Sequence, residues 1–113
     1  MTDEKAELDR LFHALGDPTR RAIIERLSER PHSVSALAQP LGVTVTAVGQ
    51  HLQILQDAGL VRTEKLGRVR TAQIDPGGLD RLDRWTLQRR SVWERRIDRL
   101  SQIIAGDDDG SNP

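Results

Sequence analysis

Two short segments with apolar residues at helical spacing lie on either side of Leu41-Gly42-Val43, and this arrangement constrains the fold more than any other feature of the sequence. Ser33 is suited to cap the first segment, which we expect to end near Gln39 because a proline follows it. Thr44 is suited to cap the second, a longer helix over about residues 45–58. The glycine between the two can adopt the positive φ of a tight turn. The pattern predicts a helix-turn-helix.

The apolar period changes from helical to alternating after Gly59, which is suited to end the longer helix. Residues 60–66 and 69–74 are predicted strands, and Gly67-Arg68 between them predicts the turn of a β-hairpin. The chain is neutral as a whole, but residues 44–70 carry four basic and two acidic side chains. This local positive charge is typical of a surface that binds a polyanion.

Three more helices are predicted around this unit. Apolar residues at helical spacing indicate one over about residues 5–15, and Asp17-Pro18 is a start signal for a second over about residues 18–28. After a break at residues 75–78, the last helix is predicted over about residues 79–104.

The length of 113 residues allows one domain, which we expect to span residues 1–106. Residues 107–113 begin with three aspartates and predict a disordered acidic tail. The predicted fold is mainly α with a small β-hairpin. A short helix, a glycine turn, a longer helix and a basic hairpin in this order describe a winged helix-turn-helix, here with a long C-terminal dimerisation helix.

The longer helix has the composition of a recognition helix, whose N-terminal half presents short polar side chains to base edges in the DNA major groove. Hairpin cations suit phosphates or a minor groove. The candidate DNA-binding residues are Thr44, Val45, Thr46, Ala47, Gln50, His51 and Gln53 on the helix, and Arg62, Lys65, Arg68 and Arg70 on the hairpin. Thr44 is equally suited to a simple capping role, and His51 either contacts a phosphate or packs beside the turn. Gly49, costly inside a helix, would be explained by close approach of DNA or of the preceding helix, or by neutral drift.

Residues 34–74, VSALAQPLGVTVTAVGQHLQILQDAGLVRTEKLGRVRTAQID, resemble the winged helix-turn-helix of the ArsR/SmtB repressor family. FHALGDPTRRAIIERL before them resembles the opening helices of that family, and WTLQRRSVWERRIDRL resembles the last helix of a cysteine-poor branch. The resemblance covers about residues 8–104. It implies a homodimeric bacterial repressor that binds imperfect palindromes near promoters.

The length of the last helix predicts a homodimer. Its 26 predicted residues would span about 39 Å, beyond the radius of gyration of about 13 Å of a domain this size, so that its apolar side needs a partner. Both tryptophans of the chain lie there, and tryptophan is enriched at interfaces. The candidate dimer residues are Leu8, Leu11, Phe12, Leu82, Trp85, Trp93, Ile97, Leu100 and Ile104. The alternative is that the tryptophans cover the core of their own protomer.

The residues argue against several other functions. The chain has no cysteine, and residues 79–104 contain no histidine, so that the metal sites of metal-sensing family members are not expected here. We expect no metal and no cofactor, and because nucleophile-elbow, phosphate-loop and H-E-x-x-H patterns are missing, no enzyme. No apolar run reaches the roughly 20 residues of a membrane span, which predicts no membrane partner. The absence of cysteine fits the expected cytoplasmic location.

The leading hypothesis is a sequence-specific transcriptional regulator, a homodimeric repressor that binds double-stranded DNA. The alternative is a winged-helix module for protein interaction, or for sensing an unknown small-molecule effector, with little or no operator binding.

Arg20 and Arg21 stand next to a helix N-terminus, where positive charge is unfavourable, so that one of them is expected to meet an acidic neighbour or a DNA phosphate.

Overall fold

The computed structural model describes the backbone of residues 3–111 and the side chains of residues 3–105. Over these residues it forms a winged helix-turn-helix from the following elements: α1 Glu4–Leu15, α2 Pro18–Glu29, β1 His32–Ser33, α3 Val34–Leu41, α4 Val45–Asp57, β2 Val61–Leu66, β3 Val69–Ile74 and α5 Pro76–Ser111. The chain divides into two units, residues 1–82 and residues 83–113. The mainly α fold with a hairpin and a long last helix is confirmed.

The helices begin where capping side chains satisfy free backbone amides. Asp3, Asp17, Ser33 and Thr44 each accept a hydrogen bond from a backbone N–H in the first turn of the helix that follows. Such a bond replaces one that the helix itself cannot make. These caps place the starts of α1 to α4 within a residue of the predicted positions.

Glycine closes both helices of the helix-turn-helix. Gly42 follows α3 with a φ of 67° and donates to the carbonyls of Ala38 and Gln39. Gly59 follows α4 with a φ of 78°; its N–H donates to Gln56 O, and the next N–H donates to Leu55 O. Both glycines adopt the left-handed conformation in which other residues are strained, and the predicted roles of both are confirmed.

The core of the first unit lies between the helices and the sheet. Its buried side chains come from α1 to α4, the corner after α4, and both hairpin strands: Leu11, Ala14, Ile23, Leu27, Leu37, Ala38, Val48, Leu52, Leu55, Ala58, Leu60, Val61 and Ala72. Val48, Leu52 and Leu55 are the predicted buried stripe of α4. Burial of this stripe turns the opposite face of the helix outward.

The sheet contains one strand that the sequence analysis missed. The order over the described residues is β1-β3-β2, with antiparallel pairing throughout. His32 lies opposite Ala72 and Ser33 lies opposite Thr71. A strand of two residues has no alternation to detect, and pairing with β3 is what makes it a strand. Through it, the start of α3 is fixed beside the hairpin.

The end of α3 and the start of α5 differ from the predictions. α3 does not end at Gln39 but continues through Pro40 to Leu41, because the proline lies exposed in the last turn and removes only one helical hydrogen bond. α5 begins at Pro76 rather than residue 79, and Asp75 Oδ1 accepts from Gly77 N at 3.0 Å. This is the Asp-Pro start signal already seen at Asp17-Pro18.

The C-terminal end of α5 lies at Ser111, beyond the predicted end at residue 104. The predicted disorder of residues 107–113 concerns positions whose side chains, and for residues 112 and 113 also the backbone, lie outside the described residues. It therefore stays a prediction.

Candidate nucleic-acid interface

The outward face of α4 carries the short polar side chains expected of a recognition helix. Thr44, Thr46, Gln50 and Gln53 are exposed, and Val45 is 52% exposed. Thr44 Oγ1 accepts from the Ala47 N–H at 3.0 Å, so that its capping role is confirmed while its outer side remains accessible. The face thus offers hydroxyls, amides and a branched apolar group, the groups that contact base edges.

Two side-chain hydrogen bonds hold the C-terminal half of α4. Gln56 Oε1 accepts from Thr63 Oγ1 at 3.0 Å, which joins the helix to β2. Gln53 Nε2 donates to Asp57 Oδ1 at 2.9 Å, so that this predicted DNA contact has a partner within its own helix. The N-terminal half is therefore the freer part of the recognition helix.

The four predicted wing cations are all exposed, but they do not share one surface. Lys65 and Arg70 lie directly opposite each other across the hairpin, whereas Arg62 lies opposite Gln73. Since successive residues of a strand point to opposite faces, Lys65 and Arg70 are on one face of the hairpin and Arg62 is on the other. Arg68 occupies the turn after Gly67, whose φ is 62°. The structure therefore groups Lys65, Arg68 and Arg70 towards the tip.

A groove of about 390 Å³ connects the wing to the starts of both helices of the helix-turn-helix. It is lined by Ser33, Val34, Ser35, Val45, Arg68, Val69 and Arg70. Guanidinium groups and hydroxyls are common phosphate ligands. The two serines were not among the predicted site residues, because pairing of β1 with β3 brings them to the wing and the capping role of Ser33 gives no signal for this.

Gly49 lies inside α4, and a Cβ added there would meet no atom within 4 Å among the described residues. Close packing of the preceding helix, one of the explanations considered for this glycine, is therefore wrong. Glycine costs a helix about 1 kcal/mol relative to alanine. Packing within the protomer does not explain why glycine stands at this position.

His51 is half-buried at the edge of α4 that faces α2. Its Nδ1 lies 3.4 Å from Nη1 of Arg20, a buried side chain with 9% exposure. The observed packing partner is therefore Arg20 of α2, where packing beside the turn was considered, and a phosphate contact stays a prediction.

Arg20 and Arg21 cap the C-terminus of α1. Arg20 donates from Nε to Ala14 O at 2.7 Å and from Nη2 to His13 O at 3.0 Å, and Arg21 donates from Nη1 to Leu15 O at 2.6 Å. Free carbonyls at the negative end of a helix favour a cation. These carbonyls accept hydrogen bonds from both side chains and were not foreseen beside the expected acidic neighbour or phosphate.

Asp17 supplies the acidic neighbour of Arg20. The Arg20 N–H, donating to the Asp17 carboxylate, is the main cause that lowers the pKa of Asp17 below its ordinary value. Desolvation opposes this effect, while the charge of Arg20, and that of His51 when its ring is protonated, lower the pKa further. Asp17 is consequently ionised in the folded protein above this lowered pKa and caps the start of α2.

The residues predicted for a dimer interface have different surroundings. Leu11 is fully buried in the core of its own protomer and offers no surface to a partner, which corrects its assignment. Leu8 and Leu82 are partly buried against the same core, and Trp85 is half-buried with the Arg89 guanidinium 5.5 Å from its ring centre. The remaining predicted side chains are exposed: Phe12, Trp93, Ile97, Leu100 and Ile104.

Val92 and Ile103 are further exposed apolar side chains of α5 that the prediction omitted. Both recur at helical spacing from Trp85, which was the available signal.

Among the described residues, no group of three His, Cys, Asp or Glu side chains is placed to hold a metal ion. Within the same part of the chain, no helix is long and apolar enough to cross a membrane.

Comparison with known proteins supports this assignment of the fold. A helix-turn-helix domain family matches residues 15–64. The HTH-type transcriptional regulator Rv2034 of Mycobacterium tuberculosis is 44% identical over 101 residues, which are 89% of this chain and 92% of that protein.

Solved structures of similar proteins agree. The crystal structure of the ArsR family transcriptional regulator RHA00566 has a TM-score of 0.76 and 38% identity, over 83% of this chain and 97% of that one. A homodimeric winged helix-turn-helix DNA-binding domain from Mycobacterium bovis has a TM-score of 0.62 and 25% identity, over 88% of this chain and 93% of that one.

Proposed function

The chain belongs to the ArsR/SmtB family of winged helix-turn-helix transcriptional regulators, and on this premise we propose that it is a homodimeric repressor that binds an imperfect DNA palindrome. The observation that carries the proposal is the exposed polar start of α4 beside a groove that contains Arg68 and Arg70. A recognition helix with a cationic wing next to it is an arrangement that reads bases and holds phosphates at the same time.

The two parts of this surface have different proposed roles. Thr46, Ala47 and Gln50 on α4 read base edges, and the paired donor and acceptor of the Gln50 amide suit adenine. Lys65, Arg68 and Arg70 bind phosphates, which supplies affinity without sequence preference. Ser33 and Ser35 join them, because they line the same groove as the two arginines.

Dimerisation is supported by the exposed apolar side chains of α5 and by the homodimeric state of the related Mycobacterium bovis domain. A two-fold dimer places two recognition helices about 34 Å apart, one turn of DNA, and so matches a palindrome. A repressor acts by occupying such a site near a promoter. The proposed location of the protein is the cytoplasm. Residues 1–106 form the working domain, and residues 107–113 are proposed to be an acidic tail outside it.

The test is binding of purified protein to DNA fragments selected from the genome, followed by fluorescence anisotropy on the selected site and on random DNA over a range of salt concentrations. Gln50→Ala is expected to cost about 1–3 kcal/mol on the selected site and little on random DNA. Arg68→Ala is expected to weaken both and to lower the slope of log affinity against log salt by about 1 per protomer.

Lys5→Ala is the matched control for loss of one exposed cation, because Lys5 lies on α1 outside the candidate interface. It is expected to leave both affinities close to those of the unchanged protein. If no fragment is selected, the winged-helix interaction module is favoured instead. If Gln50→Ala and Arg68→Ala act equally on both DNAs, the division between helix and wing is wrong.

A further inference from the structure

The guanidinium of Arg20 is held in one orientation by three groups on two different helices. Its Nε and Nη2 donate to the carbonyls of Ala14 and His13 at the end of α1, and the side chain is nine-tenths buried. Because the guanidinium is planar, these two bonds also fix the direction of Nη1. That atom faces His51 Nδ1 on the recognition helix at 3.4 Å.

Taken as a hydrogen bond, this contact favours one tautomer of the His51 ring. Arginine is a donor only, so that a hydrogen bond from Nη1 requires Nδ1 to be the acceptor. In the neutral ring, the proton then resides on Nε2. The His51 side chain is half-buried, and among the described contacts its Nε2 makes no hydrogen bond. Nε2 is also not one of the fully buried polar atoms without a partner. Nε2 is therefore not fully enclosed by the protein and has no hydrogen-bond partner among the residues that the structure describes.

We propose that Arg20 is a positioning residue for DNA binding, which orients the His51 ring so that a neutral Nε2–H donates to a DNA phosphate at the edge of α4. Hydrogen bonds to backbone phosphates fix the register of a protein on DNA. The charged groups that face this ring are Arg20 and, through its electrostatic effect, Asp17 at the start of α2. The bonds of Arg20 connect the end of α1 to the recognition helix. This inference rests on the DNA-binding function proposed above.

The first experiment leaves the buried arginine unchanged and compares three substitutions of His51 by anisotropy on the selected site. The amide nitrogen of glutamine reaches the position of Nε2, whereas that of asparagine reaches only the position of Nδ1. His51→Ala and His51→Asn are expected to weaken binding about tenfold, as for loss of a hydrogen bond to a charged group, and His51→Gln to stay within about threefold. Because the donor is neutral, the salt slope stays unchanged in all three.

The second experiment separates positioning from a structural role of Arg20. Arg20→Lys keeps the charge but loses the planar fork, and is expected to weaken binding about threefold or more in the unchanged protein and not at all in the His51→Ala background. Arg21→Lys is the matched control, because Arg21 caps the same helix end from an exposed position. It is expected to have no effect in either background.

The nitrogen-15 spectrum of the His51 ring in the free protein tests the orientation without DNA. We expect a protonated Nε2 and an unprotonated Nδ1. A protonated Nδ1, equal losses from Arg20→Lys in both backgrounds, or equal binding by His51→Gln and His51→Asn would each overturn the inference. If the unchanged protein selects no DNA, the proposed function itself fails; if it binds normally and these patterns are not found, the positioning role alone fails.

Discussion

Trp93→Ala is expected to weaken self-association of the protein without unfolding the DNA-binding unit. Trp93 is 61% exposed on α5, in a part of the chain assigned to the second unit, and Ile97, Leu100 and Ile104 follow it as further exposed apolar side chains. Four large apolar groups in water within twelve residues are unusual for a protomer that works alone. They are expected to be covered by the same surface of a second protomer.

The magnitude follows from the exposed area. A tryptophan side chain covers about 150–250 Å², so that an exposed fraction of 61% leaves roughly 90–150 Å² to be buried by a partner. At about 25 cal/mol per Å², this corresponds to about 2–4 kcal/mol for each protomer, an upper estimate. A two-fold interface contains the residue twice. The loss per dimer is therefore about 4–8 kcal/mol, and its lower end would raise the dissociation constant about a thousandfold.

Sedimentation equilibrium over a range of micromolar concentrations measures this constant, and thermal unfolding verifies that the variant is folded. Leu87→Ala is the control, because Leu87 is 57% exposed on the same helix but lies about 120° around its axis from Trp93. It is expected to leave the dissociation constant unchanged. The reasoning is refuted if the unchanged protein sediments as a monomer of 12.7 kDa, or if both substitutions weaken the dimer equally.

Four further predictions concern stability and metals. Gly49→Ala is expected to raise the free energy of unfolding by about 0.5–1 kcal/mol, because the new Cβ meets nothing within 4 Å. Gly78→Ala is expected to lower it by about 1–3 kcal/mol, because the same atom would lie 2.6 Å from Gly59 O; urea unfolding compares the two, and shifts of equal sign contradict this. Since the pKa of Asp17 is lowered in the folded state, its stabilising effect is present above the ordinary aspartate pKa of 3.8 and is lost as the pH falls through the lower folded value. Asp17→Asn should therefore flatten the acid side of a stability–pH curve, and an unchanged curve would refute this. Zinc, cadmium or arsenite at amounts stoichiometric with the protein should leave a DNA complex intact, because the described residues contain no candidate metal cluster; a one-per-protomer zinc titration by calorimetry, abolished by a histidine substitution, would refute it.

Local signals predicted most of the fold. Asp17, Ser33 and Thr44 each cap the helix that begins at the next residue. Gly42 directly follows the last residue of α3 and ends that helix. Their effects are short-range, so that no knowledge of the rest of the chain is needed. The same reasoning failed at Asp75-Pro76, because Gly77 and Gly78 follow and glycine disfavours helix.

Contacts between distant segments explain that failure. A side chain at position 78 would collide with the backbone of Gly59, so that close packing of α5 on the corner after α4 requires glycine there. The helix is stabilised by this packing and by the Asp75 cap in spite of its glycines. Likewise, β1 exists because residues 32 and 33 pair with residues 71 and 72. Neither relation can be detected in a window of neighbouring residues.

The sequence by itself determined the helix-turn-helix, the hairpin and the polar face of α4, because periodicity, caps and turns are properties of neighbouring residues. The tertiary structure alone decided which candidate groups lie together. It placed Ser33 and Ser35 beside Arg68 and Arg70, removed Leu11 to the core, and joined Arg20 to His51, 31 positions apart. A buried cation takes whichever carbonyls and ring nitrogens the packed helices bring within reach, and that choice is made only when the chain has folded.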